Sequence, residues 1–158
     1  MRHRMRVAGL LLLFLLAVPA LAAGGMTLEQ IAKTRTVTGA AISPDGRQVA
    51  HLLSVPREIG VDEDGAAWAE LHLVSRDGSS RGFVTGEVNV ASPQWLPDGR
   101  SLAYLAKREG DDTRRLYRIA VDGGESVAIA TLGSDIRAFS LSPDGRQVAL
   151  LAVEPESE

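Results

Sequence analysis

Cysteine is absent from the 158 residues, so a disulfide framework, thiolate metal sites and a lipid tail on an N-terminal cysteine are all excluded. Stability has to come from burial and strand pairing. Histidine occurs only three times and aromatic residues make up 4% of the chain, which leaves few groups for acid–base chemistry or ring stacking. Clusters of Lys and Arg are missing too, and acidic residues outnumber basic ones by 20 to 17, so nucleic acid is not an expected partner. No apolar run is long enough to span a bilayer, which takes about 20 residues.

The apolar run that does occur, Val7 to Val18, follows Arg2, Arg4 and Arg6 and precedes Pro19 and Ala20-Leu21-Ala22-Ala23. Positive residues, a short apolar core and a small-residue site, in that order, describe a secretory signal peptide. Residues 1–22 are therefore expected to be removed on export to the periplasm or the medium, without stable membrane insertion; an uncleaved anchor is the alternative. Losing those three arginines lowers the formal net charge from −3 to −6.

The rest of the chain repeats itself. Ser43-Pro44-Asp45-Gly46-Arg47 returns as Leu96-Pro97-Asp98-Gly99-Arg100 and as Ser142-Pro143-Asp144-Gly145-Arg146. Between them, Leu71 to Gly78 lines up with Leu116 to Gly123. Proline presets φ for a turn, aspartate bonds the backbone two residues on, and glycine supplies a left-handed residue, so each Pro-Asp-Gly should close a β-hairpin. The flanks Gln48–Val55, Ser101–Lys107 and Gln147–Val153 read as short strands. They alternate weakly, as strands buried on both faces can.

One unit comprises four strands, near Val90–Leu96, Ser101–Lys107, Arg115–Val121 and Ser126–Thr131. Its period is 53 residues from Pro44 to Pro97 and 46 from Pro97 to Pro143, which suits the blades of a β-propeller. The polar loop Arg57–Ala67 accounts for the longer first period. Thr27-Leu28-Glu29-Gln30 has the spacing of a capping box and predicts a short helix from Leu28 to Lys33. The expected organisation is all-β: a signal peptide (1–22), a short helix and lead-in (23–38), and two to three four-stranded blades of an incomplete propeller (39–158). Closure takes about four to eight blades. A partial gene product is therefore expected, with assembly from several copies as the alternative.

These residues, together with Pro56-Arg57-Glu58, Leu116-Tyr117 and Asp122-Gly123-Gly124-Glu125, resemble the N-terminal part of exported bacterial serine peptidases of the prolyl oligopeptidase family, in the acylaminoacyl-peptidase and dipeptidyl-aminopeptidase-like branch. The resemblance covers essentially the whole mature chain. It implies a propeller of about seven blades that restricts entry to short peptides, joined to an α/β-hydrolase domain with a Ser-Asp-His triad. That C-terminal domain is missing from these residues, so it is expected as the propeller's partner and short peptides as substrates of the whole enzyme. The Pro-Asp-Gly hairpins are shared by TolB-like periplasmic propellers, and a protein-binding scaffold is the alternative function.

No catalytic, cofactor-binding or metal-binding residue is expected in this chain. Gly78-Ser79-Ser80-Arg81-Gly82 has the letters of a nucleophile elbow, which needs a helix after the serine and a histidine further along. A strand-like segment, Phe83-Val84-Thr85-Gly86, follows instead, and His3, His51 and His72 all lie upstream of Ser80, so the serine reads as part of a hairpin turn. His51 and His72 show no ligand spacing and read as hydrogen-bonded residues between blades. Asp62-Glu63-Asp64-Gly65 has some flavour of a calcium loop but lacks its closing Glu, and Asp111-Asp112 reads as an ordinary loop. Trp68, Trp95, Tyr104, Tyr117 and Phe139 are expected to pack between blades; a stacking stripe for a ligand is the other reading.

Overall fold

The computed structural model describes residues 25–154, so the expected signal peptide at 1–22 lies outside the described residues. Among the described residues one helix, α1 (Leu28–Ala32), precedes ten strands. The capping box that the sequence predicts is present: Gln30 N–H donates to Thr27 Oγ1 at 3.2 Å, and Thr27 N–H donates to Gln30 Oε1 at 2.9 Å.

The strands form three antiparallel sheets in chain order. The first is β1 (Thr36–Ile42), β2 (Gln48–Val55), β3 (Trp68–Ser75) and β4 (Ser80–Val84). The second is β5 (Ala91–Trp95), β6 (Ser101–Ala106), β7 (Arg115–Ala120) and β8 (Val127–Ala130). The third pairs β9 (Ile136–Leu141) with β10 (Val148–Ala152). Two complete blades and two strands of a third are thus seen among the described residues. Pairing starts at Thr36, opposite Ser54, earlier than the blade boundary expected at residue 39. A register shift between Val37 and Gly39 absorbs Thr38 and lets the strand begin sooner.

Each Pro-Asp-Gly turn closes its hairpin. Gly46, Gly99 and Gly145 have φ of 68°, 64° and 67°, and their N–H groups donate to the carbonyls of Ser43, Leu96 and Ser142 at 2.8–2.9 Å. Asp45, Asp98 and Asp144 each accept the N–H of the following arginine. In the first and third turns the leading serine accepts the N–H of Gln48 or Gln147 and donates to the aspartate at 2.6 Å. That hydroxyl, and next the arginine N–H, hold the Asp45 and Asp144 carboxyls below their ordinary range.

Burial explains the weak alternation. All six residues of β6 are buried because its two faces serve two interfaces. Leu102, Tyr104 and Ala106 join Ala50, Leu71 and Leu73 of the first sheet, while Ala103 and Leu105 join Ile136 and Phe139 of the third. Strand by strand, a blade is therefore the filling between its neighbours.

Hydrogen bonds tie the blades in register. Trp95 Nε1–H donates to Ala41 O at 2.9 Å, and Gln94 Nε2–H to Phe139 O at 3.2 Å. The linkers that leave the first two blades are held near the start of the third strand: Ala69 N–H donates to Val88 O and Val90 N–H to Ala69 O, while Arg114 N–H donates to Asp135 Oδ1 and Ile136 N–H to Arg114 O.

Candidate functional site

Ser80 opens β4, the outer strand of the first sheet, where it pairs with Val74 and is exposed. The turn itself is made by Asp77 and Gly78, whose φ is 85°. Asp77 accepts both the N–H and the hydroxyl of Ser79, the hydroxyl first, which depresses the Asp77 carboxyl. Ser80 thus belongs to the strand that leaves the turn. The residues after it continue as strand to Val84, which is not the strand-to-helix bend of a nucleophile elbow.

The two described histidines are brought together. His51 of β2 and His72 of β3 are direct register partners, with ring centroids 5.5 Å apart and planes inclined by 31°. His72 Nε2 lies 2.8 Å from Glu70 Oε2, and Glu70 Oε1 accepts the Gly86 N–H at 2.9 Å. The expectation of hydrogen-bonded histidines fits His72. Its partner was legible in the sequence and was missed: Glu70 and His72 stand two apart on one strand and so share a face. Among the described residues no group of three or more His, Cys, Asp and Glu side chains is arranged to hold a metal ion.

In the loop between β2 and β3, Asp62 Oδ2 accepts the Glu58 N–H at 2.7 Å. The Arg57 guanidinium donates to the carbonyls of Glu63 and Ala66 at 2.9 Å each and lies 3.8 Å from the Trp68 ring centre. The loop is organised around the Arg57 side chain.

Asp111 is more than an ordinary loop residue. Its side chain is only 6% exposed; Oδ1 meets Arg115 at 3.0 Å, and Oδ2 accepts the Tyr117 hydroxyl and the Arg108 N–H. Burial works to raise its carboxyl, but the Tyr117 bond, the Arg108 N–H and the Arg115 and Arg108 charges hold it low. Burial first, then Asp111, push the Tyr117 hydroxyl up to about 12. Tyr104 stacks on Tyr117 at 5.8 Å and donates to Ser126 Oγ at 2.6 Å. This network closes the β6–β7 hairpin. Tyr104, Tyr117 and Phe139 lie in the packing between sheets, Trp95 is half-buried there, and Trp68 carries Arg57.

A groove of about 800 Å³ runs between α1 and the β2–β3 loop, lined by Leu28, Ala32, Arg35, Pro56, Arg57 and Ile59. Leu28 and Ile59 are almost fully exposed in it. No helix among the described residues is long and apolar enough to cross a membrane.

No protein-family model matches the chain. Dipeptidyl-peptidase 5 of Porphyromonas endodontalis is 32% identical over 128 residues, which is 80% of this chain and 18% of that protein. The peptidase YuxL of Bacillus subtilis is 28% identical over 133 residues, 84% of this chain and 20% of that protein. The chain thus spans about a fifth of the length of the curated relatives it matches. Among solved structures, the AtxE2 isopeptidase superposes with a TM-score of 0.58 at 19% identity, over 75% of this chain and 22% of that one. TolB from Acinetobacter baumannii superposes with a TM-score of 0.55 at 20% identity, over 77% of this chain and 28% of that one. These structural likenesses speak for the fold, and the sequence matches agree with the resemblance carried by the capped helix and the Pro-Asp-Gly turns. In fold the chain is a β-propeller segment, and in sequence it is a relative of bacterial peptidases.

Proposed function

We propose that this chain forms blades of the propeller of an exported serine peptidase of the prolyl oligopeptidase type, which hydrolyses short peptides. In this reading the blades contribute to a rigid wall around a central opening that excludes folded proteins, and bond cleavage belongs to an α/β-hydrolase domain of the same polypeptide. The observation that carries it is the match to peptidases over four-fifths of the chain, laid on a fold of stacked four-stranded sheets. Export rests on the order of parts in residues 1–22.

The test is a fluorophosphonate probe for activated serines. The polypeptide encoded by the continuous reading frame should label and should cleave short peptides while sparing folded proteins. The 158-residue chain should not label; covalent labelling of it would overturn the division of labour. A scaffold similar to TolB is the second reading, favoured by the fold likeness alone. A discrete closed oligomer in light scattering, with no labelling of any longer product, would decide for it.

A further inference from the structure

We propose that Glu70, His72 and His51 form a proton-operated latch on the linker between the first two blades, closed at neutral pH and loosened by acid. The latch lies within the first blade and does not depend on the peptidase reading.

The geometry joins a proton site to a hinge. Glu70 uses one oxygen for His72 and the other for the N–H of Gly86, where the linker begins. Four residues on, Val90 N–H donates to Ala69 O, and Ala69 N–H donates to Val88 O, so the linker is held along the start of β3. The side chains of His72 and Glu70 are only 16% and 14% exposed. The His51 ring lies beside that of His72, tilted by 31°.

The cluster holds one carboxylate, Glu70, which faces His72 at 2.8 Å. A proton on His51 adds a cation whose ring centre lies 5.5 Å from that of His72, in a site where burial opposes it. Among the described residues no other element relieves that charge. β1 presents Ala40 opposite His51, β4 presents Gly82 opposite His72, and Arg35, ahead of β1, adds further positive charge toward Glu70. Burial first, and then the His72 charge, hold the His51 ring below its ordinary value of 6.5. Burial works to raise Glu70, but the Gly86 N–H, His72 and Arg35 hold it below 4.5.

The sign follows from linkage. Below pH 6.5 the unfolded chain takes up a proton on His51 that the folded chain resists. This contribution to stability is whole at neutral pH and is lost as the pH falls through 6.5 toward the depressed folded value. Glu70 adds a second loss below 4.5.

The experiment is a histidine NMR titration of the full chain, combined with amide exchange at Gly86, Ala69 and Val90 at pH 7.5 and 5.5, corrected for intrinsic rates. His51 should titrate below 6.5. The opening equilibrium at those amides should rise in acid, by no more than about tenfold at pH 5.5, which is one unit below 6.5. In His51→Phe, which keeps a ring and removes the proton site, the rise should disappear; His51→Gln serves the same purpose if the larger ring disturbs the fold. A His51 midpoint at or above 6.5, or an acid response unchanged in either variant, would overturn the latch.

Discussion

Gly46, Gly99 and Gly145 share one left-handed turn conformation, yet their surroundings differ. A β-carbon on Gly46 would meet nothing within 4 Å, on Gly99 it would touch Pro44 Cδ at 3.8 Å, and on Gly145 it would press on Pro97 Cδ at 2.9 Å. The proline of one turn packs on the glycine of the next, so the motif joins blades as well as closing hairpins. Gly46→Ala should cost about 1–2 kcal/mol through backbone strain alone. Gly145→Ala should cost more, because Pro97 must also shift, and thermal melts of the two variants should show that order. The motif and its turn were readable from residue types. The nesting was not, because it depends on which turns lie side by side.

Tyr117 and Asp111 behave as a pair at the same scale. The phenol of Tyr117 is pushed up to about 12, so its contribution to stability is whole below pH 10 and is lost as the pH climbs toward 12. Absorbance titration should show tyrosinate appearing together with loss of structure. Asp111→Ala should cost about 1–3 kcal/mol in urea unfolding, since the Arg115 and Tyr117 polar groups are left without their acceptor. The sequence offered Asp111-Asp112 only as loop, because nothing in its spacing reveals that Tyr117 and Arg115 turn back toward it.

Among the elements, β6 carries the heaviest packing. Leu102 is fully buried against the first sheet, so Leu102→Ala should cost about 2–5 kcal/mol. Leu151 of β10 is 62% exposed, and Leu151→Ala should stay within about 0.5 kcal/mol. Equal losses for the two in urea titration would contradict the packing. Strand positions were largely legible: β2 spans the expected Gln48–Val55, and β5 to β8 and β10 fall within a residue or two of expectation. Turn residues mark strand ends on both sides, and the capping box marks α1. The start of β1 was less legible, because its bulge inserts a residue that no local signal announces.

For the molecule as a whole, stacking makes stability uneven. The second sheet is covered on both sides, while Val37 and Ile42 of β1, and Leu151 of β10, remain exposed on sheets covered on one side. Amide exchange should therefore be slowest in β6 and β7 and fastest in α1 and β10. Comparable protection in β10 and β6 would contradict the layering. The recurrent turns, the four-strand unit, the capped helix and the peptidase likeness are properties of the amino-acid order, because turn chemistry and hydrophobic runs act over a few residues. Tertiary structure alone decided that Pro44 and Pro97 seat on the next blade's glycines, that Arg57 takes the centre of its loop, and that His51 meets His72 across two strands. Those contacts join residues up to 55 positions apart, and only pairing register and blade stacking fix which of them touch.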